Sequence, residues 1–148
     1  MPKTNLSGIS YGQKKQEGQT DTQQLIEIAS YLRKKYKVRV EREPYLLFKS
    51  DILLRILTYV KKQQLGENIQ VKEPDLLWID KYGMWIIEVD GAVHDRKVIK
   101  TEKRNSLYLS NHIKLIVVNL AEIKFRKINI YTYIDKRITE LIQEKGVI

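Results

Sequence analysis

The sequence predicts a single-domain α/β sandwich, with a central mixed β-sheet flanked by helices. Three observations predict it. Apolar residues recur at helical spacing in segments spread along the chain. Two dense apolar runs, Leu76–Ile79 and Met84–Val89, flank a short Gly-containing turn in the manner of a β-hairpin. A further run, Leu115–Val118, is apolar throughout, as a strand covered on both faces is. Strands alternating with helical stretches form a sheet coated by helices. The length of 148 residues suits one core. The expected division is a flexible basic arm over 1–19 and one folded domain over 20–148.

Each element has its own justification. The arm mixes Gly8, Gly12 and Gly18 with Lys, Gln and Ser. It carries Lys3, Lys14 and Lys15 without an apolar centre, which argues against a secretory signal. Thr20 and Gln23 have capping-box spacing, and Leu25, Ile28, Ala29 and Leu32 follow on one face, predicting a helix over 21–35. Val38–Glu43 reads as an exposed or edge strand stopped by Pro44. Ile52, Leu53, Ile56, Leu57 and Val60 predict a second amphipathic helix over 50–64. After the hairpin, the charged stretch from His94 to Asn111 is helical, with Val98, Leu107 and Tyr108 available for packing. Lys114–Asn119 is the buried strand. Ile130, Ile134, Ile138, Leu141 and Ile142 then line one face of a C-terminal helix ending at Gly146. The expected order is α-β-α-ββ-α-β-α.

Composition narrows the function. Lys and Arg number 27 against 18 Asp and Glu, a net charge of +9, which points to a polyanionic partner such as nucleic acid or anionic lipid. A hydrophobic content of 43% argues against wholesale disorder. No run of 18 apolar residues occurs, so no membrane span is expected. The absence of Cys removes disulfides and thiolate metal sites, and the expected location is intracellular. Nineteen Ile and nineteen Lys against three Ala suggest an AT-rich coding sequence, as in a phage, organelle or mobile element.

The candidate chemistry lies in Pro74-Asp75 and Glu88-Val89-Asp90, because ionised carboxylates are costly at the ends of apolar strands. If the turn is closed by Asp80 and Gly83, Asp75 falls opposite Glu88. If it is closed by Lys81 and Met84, Asp75 falls opposite Asp90. In either register the three acids share one face, where like charges repel and a hard divalent cation, Mg²⁺ or Mn²⁺, would relieve the repulsion. A register between these two puts Asp75 opposite Val89 and undoes the pairing. His94 follows Asp90-Gly91 closely enough to deprotonate a water, protonate a leaving oxygen or contact a phosphate. Arg96, Lys97, Lys100, Lys103 and Arg104 follow on one segment and could track a phosphate backbone, as could Lys14 and Lys15 of the arm.

Asp75 and Glu88-x-Asp90, separated by twelve residues of hairpin, resemble the motif of the PD-(D/E)XK nuclease superfamily, with Asp90 in place of its final lysine. Ile87-Glu88-Val89-Asp90-Gly91, His94, Arg104, Leu107 and Leu115–Val118 are similar to the string of the very-short-patch-repair (Vsr-like) and DUF559 branch. The resemblance covers about 74–120. It implies a restriction-endonuclease-like fold and Mg²⁺-dependent (or Mn²⁺-dependent) cleavage of DNA. It implies Asp75 and Glu88 as metal ligands, the Val89 carbonyl as a third, Asp90 at the lysine position, and His94 in proton transfer or phosphate contact. The family also places a glutamate on the first helix. Glu27 is the candidate, although the family's Thr-Asp-x-Glu string aligns on Gln23. The expectation is a site-specific DNA endonuclease of homing or restriction type, acting as a homodimer or higher oligomer because two strands need two sites. A structure-specific nuclease (mismatch-nicking or junction-resolving) and an inert nucleic-acid-binding protein on the same fold are the competing readings.

Overall fold

A computed structural model of the protein describes residues 22–61, 65–91 and 95–146, the side chains of 95–99, 145 and 146 excepted. The elements are α1 (Thr22–Tyr36), β1 (Glu41–Arg42), β2 (Tyr45–Lys49), β3 (Ile52–Leu57), β4 (Ile69–Lys72), β5 (Leu76–Asp80), β6 (Gly83–Asp90), α2 (Asp95–Ser110), β7 (Lys114–Asn119), α3 (Leu120–Phe125) and α4 (Ile130–Gly146). The expected α/β class holds, and the sheet is mixed. Its order is β1-β5-β6-β7, with β5 antiparallel to β1 and β6, and β6 parallel to β7. A parallel neighbour needs a crossover, and α2 supplies it.

The two faces of this sheet build two cores. Leu76, Trp78, Trp85, Ile87, Val89, Ile116 and Val118 pack on one face against Leu25, Ile28, Ala29 and Leu32 of α1 and Ile134 and Ile138 of α4. Leu77, Ile86 and Leu115 project from the other, against Leu107 and Tyr108 of α2 and Leu46 and Phe48 of β2. The period-two alternation of β6 is therefore divided between layers: Ile87 and Val89 go to one, Ile86 and Glu88 to the other. α4 starts where Asn129 Oδ1 accepts from the amides of Tyr131 (2.9 Å) and Thr132 (3.1 Å), an N-cap that orients the helix onto the sheet.

The helix expected over 50–64 is a strand. β3 pairs with β2 in a second sheet of order β3-β2-β4. Lys49 pairs with Ile52 across a two-residue turn, and Ser50 and Asp51 both adopt positive φ, 51° and 62°. That is the primed turn that suits the twist of a hairpin. The register then slips between Leu47 and Phe48, leaving Leu54 without a partner. This bulge puts Leu53 and Ile56 on one face although they lie three residues apart, which is helical spacing. The Val38–Glu43 edge strand is present but reduced to Glu41–Arg42, paired with Leu77 and Leu76. β2, β4 and α3 have no counterpart in the expected order. No helix among the described residues is long and apolar enough to cross a membrane.

Candidate active site

The hairpin's register decides where the acids go. Asp80 pairs with Gly83 and Leu76 with Ile87, so the next position outward sets Asp75 opposite Glu88, the first of the two registers considered. The contacts agree. The Val89 amide donates to Asp75 Oδ2 at 2.7 Å, and the Asp75 amide points at Glu88 Oε1 at 3.4 Å. The Asp75 carbonyl accepts from the Glu43 amide at 2.9 Å, which fixes the chain after the buried Pro74. The two acids thus hold each other's strands, each carboxylate reaching main chain across the gap.

Glu88 is 4% exposed; it and Lys114 are the buried charged residues among those described. Its Oε2 accepts a hydrogen bond from the Tyr108 hydroxyl at 3.0 Å and lies 3.6 Å from Arg104 Nε. Arg104 Nη2 lies 3.6 Å from Asp90 Oδ2, so one guanidinium spans two of the three acids. Tyr108 and Arg104 stand four residues apart on α2, hence on one helix face. Burial among apolar side chains raises the pKa of Glu88 well above the carboxylate range, and the nearby Asp75 charge raises it further, against Arg104 and Tyr108. Asp75 is raised by burial, then lowered by the Val89 amide and raised again by Glu43 and Asp90. The Tyr108 phenol is pushed far up by burial and by the Glu88 charge.

Of the residues singled out from sequence, Asp75, Glu88, Val89 and Asp90 come together, with Arg104 among them. Lys100 and Lys103 are exposed on α2. Glu27 is exposed on α1, the helix whose apolar side packs on the opposite face of the sheet from Glu88. Lys14, Lys15 and His94 lie outside the described residues, as do the side chains of Arg96 and Lys97. Tyr108 was legible only as a packing residue. Its signal was a polar tip at a core position one turn beyond Arg104.

Comparison of the chain with family models, curated proteins and solved structures finds no match in any of the three. The site's chemistry therefore rests on its own residues. Two opposed carboxylates with raised pKa offer hard oxygen donors of the kind Mg²⁺ and Mn²⁺ prefer. Among the described residues no three His, Asp or Glu side chains are already gathered around one point. A cation held by Asp75 and Glu88 would complete its shell with main-chain, water or phosphate oxygens, as Mg²⁺ commonly does.

Proposed function

We propose that the protein is a divalent-metal-dependent DNA endonuclease of restriction-endonuclease-like fold, cutting phosphodiester bonds at specific sites in the homing or restriction manner. The observation that carries this reading is the opposition of Asp75 and buried Glu88 across the open end of the β5–β6 hairpin. The strand-bridging hydrogen bonds of these acids need only one carboxylate at a time, whereas cation binding gives a reason to set two against each other in apolar surroundings. The net charge of +9 and the exposed Lys100 and Lys103 on the helix beside the acids suit a phosphate backbone.

In this reading Asp75 and Glu88 hold Mg²⁺ or Mn²⁺, with the Val89 carbonyl as a further donor. The cation supplies polarisation of the scissile phosphate and acidification of the attacking water. Asp90, at the position of the family's lysine, brings no positive charge, so Arg104 is the cationic side chain nearest the reacting phosphate. His94, four residues after Asp90, holds or accepts a proton. Duplex cleavage calls for paired sites, and β3, an edge strand exposing Ile52 (62%) and Leu54 (53%), is the surface best suited to a second copy of the chain.

One observation favours a second reading, an inert nucleic-acid-binding protein. Arg104 already lies beside both Glu88 and Asp90 as their counter-charge, and Asp90, not a lysine, stands two residues after Glu88. Nicking of supercoiled plasmid and of a branched duplex separates the two. Wild type is expected to nick only with Mg²⁺ or Mn²⁺, and Asp75→Ala and Glu88→Ala to lose at least a thousandfold, about 4 kcal/mol of barrier. Activity surviving both substitutions overturns this site. Salt-sensitive DNA binding without cleavage selects the inert reading, and preference for the branched substrate selects a structure-specific nuclease.

A further inference from the structure

Arg104 stands where a cation would compete with it. Its guanidinium lies 3.6 Å from both Glu88 Oε2 and Asp90 Oδ2. Both distances exceed a hydrogen bond, so the group serves as a shared counter-charge and is not locked in a bidentate fork. Its Nε and Nη2 donate instead to Asn105 Oδ1, at 3.1 and 3.0 Å. The side chain is 21% exposed, so it has a way out to solvent on the helix that carries exposed Lys100 and Lys103. Glu88 has a partner that stays behind: the Tyr108 hydroxyl holds Oε2 whether or not Arg104 remains. Arg is also the side chain best matched to a phosphate, through its planar set of donors.

We infer that Arg104 is a removable stand-in for the divalent cation, closing the Glu88–Asp90 gap in the free protein and moving to a DNA phosphate when substrate arrives. This rests on the metal-dependent reading and adds an order to it: DNA draws Arg104 off the acids, and the acids then bind the cation tightly. Free protein therefore binds Mg²⁺ weakly and protein on DNA binds it well. By linkage, Mg²⁺ strengthens the hold on DNA by the same factor.

The test measures Mg²⁺ binding by titration calorimetry in mildly alkaline buffer, without DNA, and binding of a mixed-sequence duplex in EDTA. Removing one positive charge a few ångströms from a divalent site should tighten Mg²⁺ binding roughly tenfold in Arg104→Met and in Arg104→Gln. Arg104→Lys keeps the charge and should stay near wild type. Both neutral variants should bind the duplex more weakly, with a salt slope smaller by about 1. Tighter ion binding together with weaker DNA binding is a combination that a merely loosened site does not produce. If the neutral variants bind Mg²⁺ no better than wild type while Glu88→Gln abolishes its binding, Arg104 is no stand-in and the metal site survives. If neither wild type nor the neutral variants bind Mg²⁺ while wild type nicks DNA only with it, the inference falls and the metal-dependent reading stands; if metal-dependent nicking is absent too, both fall.

Discussion

The β5–β6 hairpin carries acids at both ends, and the fold serves them differently. At the turn, Asp80 Oδ1 accepts from the Tyr82 amide at 2.8 Å and from Trp85 Nε1 at 2.9 Å, while Oδ2 accepts from Trp78 Nε1 at 3.2 Å. The two indoles stack with centroids 5.3 Å apart and planes 7° from parallel, so one carboxylate satisfies the polar edge of a buried aromatic pair. At the open end, Asp75 and Glu88 face each other, and a single guanidinium stands between Glu88 and Asp90. Asp80 has neutral N–H donors on both oxygens and no acid facing it, and it is part of the scaffold. Asp75 and Glu88 also accept neutral donors, but each faces the other in a place that raises its pKa, a local cost of the kind that functional sites carry.

The largest effect that should separate the two ends is on stability at the turn. Asp80→Ala leaves two buried indole N–H groups without their acceptor, at an expected cost of about 2–4 kcal/mol. Urea unfolding measures it, and Mg²⁺ affinity should not change. If Asp80→Ala weakened Mg²⁺ binding instead, the two ends would not be independent and the contrast between them would collapse.

The open end should show the opposite sign. Glu88 has a folded-state pKa raised from 4.5 to about 8, so its protonated form is the one the fold prefers. Its contribution to stability is full below the unfolded value and is lost as pH rises through the folded one. The metal-free protein should therefore lose stability between about pH 4.5 and 8, at about 1.4 kcal/mol per pH unit for one group at most. Glu88→Gln copies the protonated side chain and should remove its share of that fall, leaving the share due to Asp75, so that the variant is more stable than wild type in alkaline buffer. Mg²⁺ should restore wild type there and do nothing for Glu88→Gln. Thermal melts across pH with and without Mg²⁺ decide it, and a flat wild-type profile would sink the assignment of a buried titrating acid.

How far the sequence foretold this contrast depended on how local the determinants were. The opposition of Asp75 and Glu88 was legible because the Asp80–Gly83 turn sets the register and alternation does the rest. α1, α2 and α4 were legible because each turns an apolar face to the core, and β7 because it is apolar on both faces. The β2–β3 hairpin was not. Its turn is Ser50-Asp51, without the Asn-Gly or Asp-Gly signal, and the bulge at Leu54 turned a strand's alternation into a helix-like pattern. Glu27 marks a different limit. Periodicity says which face of α1 is buried, but which side of the sheet that helix covers is a tertiary fact. Arg104 was visible as a basic residue, yet its turn inward depends on where α2 crosses the acids.

The smallest expected effect sharpens the open end further, because it separates a scaffold role from an electrostatic one within a single residue. Tyr108 is fully buried, packs near Phe48 with ring centroids 6.4 Å apart, and gives its hydroxyl to Glu88 Oε2. Tyr108→Phe keeps the ring and removes the donor, at an expected cost of about 1 kcal/mol at alkaline pH, where Glu88 is charged. In acid the cost should shrink, because the hydrogen bond favours the ionised carboxylate and its loss raises the Glu88 pKa further. The fall in stability should therefore begin at the same pH and continue to higher pH in Tyr108→Phe than in wild type, a difference readable in the same melts. Equal costs at both ends of the pH range would make Tyr108 a packing residue alone, and the support that holds Glu88 when Arg104 leaves would have to come from elsewhere.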